Sequence, residues 1–365
     1  MPGQVRFRPD RGVTHAHTGI GSPMVSRRLG RFAVFLALFA AAASPAIASR
    51  PESTVSVMTY NVHGLPWPIA EDRTASLSAI AAQLKAMRAA GHQPRIVALQ
   101  EAFVPDAKAI GAAAGYRYIA FGATADAAAT AETPTDRSFV SAGSMFRGEQ
   151  VGKHVDSGLA IFSDYPILAV RRISYPVCAG YDCLANKGAM AAMIAVPGLA
   201  GPVTVIDTHL NSNGATGVSE PRALYAYKRQ IDLLSAFIGS MERPRETLLV
   251  AGDFNVGQDI ARRAYFAQHM FGGAMPLTGG EQRCRSTPTC LVTQAADVAT
   301  STGRAKDWLM YRASDASSVK PVALSAPFGL AGDKTMLSDH IGVMVSYRLD
   351  GVAVRPKMAA MLASR

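Results

Sequence analysis

The sequence predicts an α/β protein in which two β-sheets pack face to face with helices on the outside. Three observations predict it. Strand-like and helix-like segments alternate along the chain, strands outnumber long helices, and no internal repeat or Pro-rich linker divides them. The composition of the 365 residues, 49% hydrophobic and 18% charged, suits a globular protein with a sizeable core.

Taken in order, Thr54–Tyr60 alternates and reads as a strand. Thr74–Ala90 has helical spacing at Leu77, Ile80, Ala81, Leu84 and Met87, and Gly91 follows as a stop. Arg95–Gln100 reads as a short buried strand and Val104–Ala114 as a helix with Pro105 near its start. Ala123–Gly152 is rich in Ala, Thr and Ser and lacks long apolar periodicity, so it reads as a loop or insertion. Strands are expected again at Gly158–Ser163, Ile167–Ile173, Gly188–Val196 and Val203–Thr208. Ser219–Ile238 predicts a long helix with Leu224, Tyr227, Ile231, Leu234 and Phe237 on one face. A strand at Thr247–Ala251, a helix at Gln258–Met270 and a Gly- and Cys-containing loop to about Ala305 follow. Strands at Asp307–Tyr311, Val319–Leu324 and His340–Arg348 close the domain, expected to span 49–350, and 351–365 reads as a frayed tail.

Residues 1–48 read as processing sequence rather than fold. Arg27, Arg28 and Arg31 precede an apolar run that ends in Ala46-Ile47-Ala48, the layout of a secretory signal peptide cleaved after Ala48. Its apolar core, Phe32 to Ala43, is short for a membrane span. Met24 opens a signal peptide of ordinary length and is the expected translation start. The protein is therefore expected to be secreted or periplasmic. Removing 1–48 takes away six arginines and Asp10, so the formal charge of +10 falls by 6 − 1 = 5, to +5. A mildly basic chain is consistent with an anionic substrate or a membrane surface and selects neither. The four cysteines form two close pairs. In an exported protein these read as disulfides, with Cys178–Cys183 and Cys284–Cys290 expected among three possible connectivities. Zinc lacks companion histidines nearby.

Several strands end in polar residues of one chemical type: Asn61, Glu101, Asp207 and His209, Asp253 and Asn255, Asp307, and Asp339 with His340. Singly, each suits a turn; Asp and Asn favour such positions. Together they suit metal-assisted phosphodiester hydrolysis. Attack at phosphorus builds negative charge on oxygen, which a carboxylate-held divalent cation stabilises. Mg²⁺ needs only one or two carboxylates and an amide, since it keeps several waters. A histidine oriented by aspartate can take the proton of the attacking water.

Asn61, Gln100-Glu101, Thr208-His209-Leu210, Gly252-Asp253-Phe254-Asn255 and Ser338-Asp339-His340 resemble, in type and order, the motifs of the endonuclease/exonuclease/phosphatase superfamily. That superfamily includes DNase I-like nucleases, inositol polyphosphate phosphatases and neutral sphingomyelinases. The resemblance covers about residues 54–348 and implies a four-layer α/β/β/α sandwich of two mixed sheets. It implies that Glu101 is the principal Mg²⁺ ligand with Asn61 beside it, Mn²⁺ or Co²⁺ being possible substitutes. Asp253 would orient or activate water and Asn255 would contact the phosphate. His340 would be the general base, held by Asp307 or Asp339. His209 would stabilise the transition state or protonate the leaving group.

Three features are similar to the sphingomyelinase branch: the run TYNVHGLPWP, the motif Asn186-Lys187-Gly188 that would place Lys187 and Asn186 near a headgroup phosphate, and the Cys178/Cys183 pair before it. The resemblance implies a secreted, monomeric phosphodiesterase acting on a phospholipid, most specifically on sphingomyelin at a membrane surface. A DNase I-like endonuclease acting on nucleic acid is the alternative substrate reading, and a catalytically silent binding protein on the same fold is the alternative of another class. The aromatic β-hairpin often carried by membrane-lytic relatives has no counterpart here; Phe271 is the only aromatic of the Phe271–Leu291 loop. His63 follows Asn61 by two, a spacing that could face the same cleft, but it reads first as a loop histidine. Trp67, between Pro66 and Pro68, suits either contact with lipid or packing of its own loop.

Overall fold

The computed structural model describes residues 52–199, 201–241, 246–274, 276–314, 317–330 and 336–351. The expected signal peptide, its start at Met24 and nearly all of the C-terminal tail lie outside the described residues.

The chain runs β1 (Glu52–Gly64), α1 (Arg73–Ala89), β2 (Ile96–Ala102), α2 (Pro105–Ala113), β3 (Tyr118–Phe121), α3 (Pro134–Ser141), β4 (Ala160–Ser163), β5 (Ile167–Ser174), β6 (Gly188–Ile194) and β7 (Val203–His209). It continues through α4 (Glu220–Ser240), β8 (Thr247–Asp253), α5 (Ile260–Phe266), β9 (Thr278–Gly279), α6 (Gly280–Arg285), β10 (Leu291–Val292), α7 (Ala295–Arg304), β11 (Asp307–Arg312), β12 (Ser317–Phe328) and β13 (Gly342–Gly351). One sheet has the order β10-β12-β13-β1-β2-β4-β3 and the other β5-β6-β7-β8-β11-β9. Both are mixed: β1/β2 and β7/β8 are parallel, whereas β1/β13 and β8/β11 are antiparallel.

Strand alternation divides the core into layers. Val55, Val57, Ile96 and Ala98 face the space between the sheets with Val205, Leu249 and Leu309. Their neighbours Met58, Tyr60, Val97 and Leu99 face outward beneath the apolar stripe of α1, Leu77, Ile80 and Leu84. The second sheet buries Ile206, Leu248 and Val250 against Tyr227, Ile231 and Leu234 of α4. The result is the α/β/β/α sandwich expected from the sequence.

Four stretches differ from the sequence reading. The 123–152 segment is not wholly loop: it contains α3 and a 3₁₀ turn at Met145–Arg147. The buried residue of α3 is Asp136, whose carboxylate accepts from Arg229 Nε and Nη2 at 2.8 and 2.9 Å and completes a capping box with Thr133. The Gly- and Cys-containing stretch likewise folds into α6 and α7, and α7 buries Asp297 and Ser301 beside Val298. The expected helix at 258–270 is α5 followed by a wider π turn at Ala267–Phe271. Strand β3 went unread, being four residues long with only Ala120 buried.

Arg229 holds the Asp136 carboxyl well below the usual carboxylate range. A depressed carboxyl stabilises the fold above its unfolded pKa and loses that contribution as pH falls through the folded one. The melting temperature is therefore expected to fall below about pH 4. Asp136→Asn should remove much of that acid sensitivity and cost about 2 kcal/mol near neutrality, since Arg229 loses its buried carboxylate partner and keeps only Asp232. Denaturant titrations at pH 3 and pH 7 check both statements.

Cys178 is bonded to Cys183 and Cys284 to Cys290, the pairing of near neighbours. Such short loops are worth about 2 kcal/mol each. Dithiothreitol is expected to lower the melting temperature by roughly 5–10 °C. An unchanged transition would contradict a stabilising role for the pairs.

Candidate active site

Strand register sets one cluster at a single end of the two sheets. On three adjacent strands, His209 of β7 is level with Asp253 of β8, and Asp253 with Asp307 of β11. From the facing sheet, β1 pairs Asn61 with Gln100 of β2, and Glu101 follows. The segment before β13 supplies His340; its Ser338 hydroxyl donates to the Asn61 carbonyl at 2.7 Å and accepts from His340 N–H at 3.2 Å.

Asn61 Nδ2 donates to Glu101 Oε1 at 2.9 Å and to Asp253 Oδ2 at 3.1 Å, so one amide ties two carboxylates from opposite sheets. Burial raises the Glu101 carboxyl above its ordinary range, against the opposing effects of Asn61 and Lys187. Glu101 Oε2 is buried without a hydrogen-bond partner. Among the described non-glycine residues, six have φ in the left-handed region, and three of these, Glu101 at 56°, Asn255 at 46° and His63 at 51°, line this cleft. Such conformations cost about 1–3 kcal/mol each. Their concentration marks a site whose geometry serves something other than stability.

Asp307 faces His340 Nδ1 with both oxygens, at 2.8 and 3.0 Å. The contact places the proton of a neutral His340 on Nδ1 and directs Nε2 to the cleft, 3.6 Å from Asp253 Oδ2. Burial works to lower the His340 pKa, but Asp307 and Asp253 outweigh it and push it up to about 9. Of the two aspartates expected to hold His340, Asp307 does so. Asp339 instead accepts from His63 Nδ1 at 3.0 Å, and this contact helps to hold its carboxyl below the usual range against the effect of burial.

His209 is the opposite case. Burial, and then Lys187, push its pKa well below the ordinary value, so the ring is neutral. Lys187 Nζ lies 3.1 Å from His209 Nε2 and donates to Asp182 Oδ1 at 3.0 Å and to the Leu210 carbonyl at 3.3 Å. Asn255 lines the cleft and its Nδ2 donates to the Leu210 carbonyl at 2.9 Å. Asn186 does not face the cleft. Its Nδ2 donates to the carbonyls of Thr124 and Ala127 at 2.8 and 3.0 Å, a brace for the neighbouring loop.

Sequence reasoning missed Asp182, which orients Lys187, and misplaced His63. His63 is part of the cleft wall, 3.9 Å from Glu101 Oε2. Its spacing of two residues from Asn61 was the only available signal. Asp207 lies one layer deeper, fully buried; Gln100 Nε2 donates to it at 2.7 Å, and burial raises its carboxyl well above the ordinary range. These residues line or underlie a cavity of about 730 Å³ whose walls include Leu65, Pro66, Ile69, Phe103, Leu184 and Ala185, with His154, Ser212 and Lys306 among its polar lining. A groove of about 810 Å³ between the edge strands β3 and β5 has no acid or histidine in its lining, so the chemistry belongs to the first cavity.

The donor set fits a hard divalent cation: oxygen-rich, buried, with one carboxylate oxygen unpartnered. Asp253, Asp307 and His340 also bring one ligand atom each within 4.8 Å of one another. A cation held by all three would have to part Asp307 from His340, whereas Glu101 Oε2 has no hydrogen bond to give up.

The sequence matches the Endonuclease/Exonuclease/phosphatase family over residues 58–340, and the chain belongs to that family. No curated protein matches it. Among solved structures, sphingomyelinase C from Streptomyces griseocarneus is similar at 20% identity and TM-score 0.55, covering 80% of this chain and 99% of that one. A mutant Staphylococcus aureus beta toxin with bound magnesium ions is similar at 15% identity and TM-score 0.53, over 80% and 99%. D. rerio TDP2 complexed with a single-strand DNA product is similar at 16% identity and TM-score 0.50, over 81% and 99%. Identities this low speak for the shared fold. The superfamily comprises hydrolytic phosphodiesterases and related enzymes, and the cluster here has the make-up of a hydrolase site.

Proposed function

We propose that the protein is a secreted, Mg²⁺-dependent phosphodiesterase that hydrolyses sphingomyelin to ceramide and phosphocholine. The observation that carries this reading is the cavity itself: acids and histidines at its floor beneath walls of Leu65, Pro66, Ile69, Leu184 and Ala185. A phosphodiester joined to an apolar body fits that division, whereas nucleic acid would call for Lys and Arg along a groove. The likeness to a sphingomyelinase and a beta toxin agrees with it, and the two disulfides suit an oxidising compartment.

Glu101 is the principal metal ligand in this reading, with Asn61 orienting it. The bound cation supplies charge stabilisation for the phosphoryl oxygens. His340 Nε2 takes a proton from water as the water oxygen bonds to phosphorus, and Asp307 holds the resulting imidazolium. The phosphorus–oxygen bond to ceramide breaks on the opposite side, and the leaving oxygen takes a proton from the Lys187–His209 pair. Because His209 is neutral and hydrogen-bonded to Lys187, the lysine is the donor of that pair and His209 positions it. Asp253 and Asn255 orient the water and the phosphate.

Purified mature protein should be given Mg²⁺ with sphingomyelin vesicles and supercoiled plasmid in parallel. Phosphocholine release without nicking is the expected result. Nicking without lipid turnover would replace the substrate with nucleic acid at the same residues.

A further inference from the structure

Large apolar side chains that face solvent occur on two segments that line the cavity and on a third tied to one of them. Trp67 is 77% exposed and Ile69 59% on the loop after β1; Met145 is 61% and Phe146 92% exposed on the 3₁₀ turn; Tyr181 is 47% exposed in the segment before β6. These are five of the eleven such side chains among the described residues, from three short segments. Leu65, Pro66 and Ile69 line one wall of the cavity, and Tyr181, Leu184 and Ala185 line another. The 3₁₀ turn is tied to the second wall: Gly180 N–H donates to Glu149 Oε1 at 2.9 Å, and Arg147 Nη1 lies 3.5 Å from Tyr181 Oη. The Trp67 loop is pre-shaped, since Ile69 and Ala70 N–H both donate to the Pro66 carbonyl, at 3.0 and 3.3 Å.

We propose that this two-sided rim docks on the surface of a zwitterionic phospholipid bilayer, with Trp67 and Phe146 as the inserted side chains. The inference rests on the lipid reading of the site and adds the surface that delivers the protein to it. Exposed aromatic and apolar side chains on such segments are costly in water and are repaid at a membrane interface, where tryptophan partitions well. Leu65, Pro66 and Ile69 on one wall and Leu184 and Ala185 on the other continue inward from the rim, so an acyl or sphingoid chain lifted from the bilayer meets apolar side chains as its phosphate reaches the acids. Charge decides the class of bilayer. Arg147 stands exposed beside Phe146, and Glu71 and Asp72 stand exposed just past Ile69. A rim of both signs matches headgroups that carry both and gains little from an anionic surface.

The test uses the mature protein in EDTA, so that binding is read without turnover. Vesicles of sphingomyelin and phosphatidylcholine should sediment the protein and shift its tryptophan emission to shorter wavelength; Trp67→Phe should remove the shift, leaving Trp308. Trp67→Ser and Phe146→Ser should each weaken vesicle binding about tenfold or more. Both variants should keep the wild-type melting temperature and, with Mg²⁺ restored, wild-type turnover of a soluble aryl phosphodiester. Binding unchanged in both variants, no binding by the wild type, or binding confined to phosphatidylserine vesicles would overturn the proposal. Vesicle binding with no phosphocholine release would retire sphingomyelin as the substrate and leave the docking rim in place.

Discussion

Mg²⁺-dependent turnover is expected to fall to background when Glu101 is replaced by alanine, with little change in melting temperature. Glu101 is held in a costly left-handed conformation, its carboxyl is raised by burial, and Oε2 has no hydrogen-bond partner. Each of these works against stability, so the side chain has no large structural role to lose. Isothermal titration with Mg²⁺ gives a readout that does not depend on turnover: the wild type should bind and Glu101→Ala should not. Full activity in the variant, or unchanged Mg²⁺ binding, would remove Glu101 from the metal site.

His340→Ala is expected to lower kcat by about 10²–10⁴-fold, the usual contribution of general acid–base work, with KM little altered. Asp307→Asn should lower kcat as well, because the amide can leave the proton on the wrong nitrogen. A change confined to KM in His340→Ala would contradict the base role. The pH dependence carries a sign. In the metal-free protein the His340 pKa is pushed up to about 9 by Asp307 and Asp253, against burial. A raised histidine contributes stability below its unfolded value of about 6.5 and loses it as pH rises through the folded one. The metal-free protein should therefore lose stability between about pH 6.5 and pH 9. A divalent cation at Glu101 repels the imidazolium, so NMR titration should show a lower His340 pKa when Mg²⁺ is bound.

Most of the fold could be read from residues because its strands alternate cleanly and its two long helices carry apolar stripes. Leu77, Ile80 and Leu84 announce α1, and Ile231 and Leu234 announce α4. What escaped was anchored differently. α3 is held by a buried Asp136–Arg229 pair, and α7 buries Asp297 and Ser301, so an apolar-periodicity argument finds nothing there. The candidate site was readable because most of its residues lie at or next to strand ends, and parallel or antiparallel register then brings these ends abreast. Partner choice was not readable. Which aspartate holds His340, that Asp182 steers Lys187, and that Asn186 turns toward Thr124 all depend on loop paths that the pattern does not encode. The rim was also hidden: Phe146 lies in a stretch with no periodicity, and exposure becomes visible only once the chain is folded.

The most direct test of the account follows phosphocholine release from sphingomyelin vesicles in Mg²⁺, with EDTA added partway and excess Mg²⁺ afterwards. Steady release that stops with EDTA and resumes with Mg²⁺ is the predicted result. Release that continues through EDTA, or no release in Mg²⁺ at all, would contradict it.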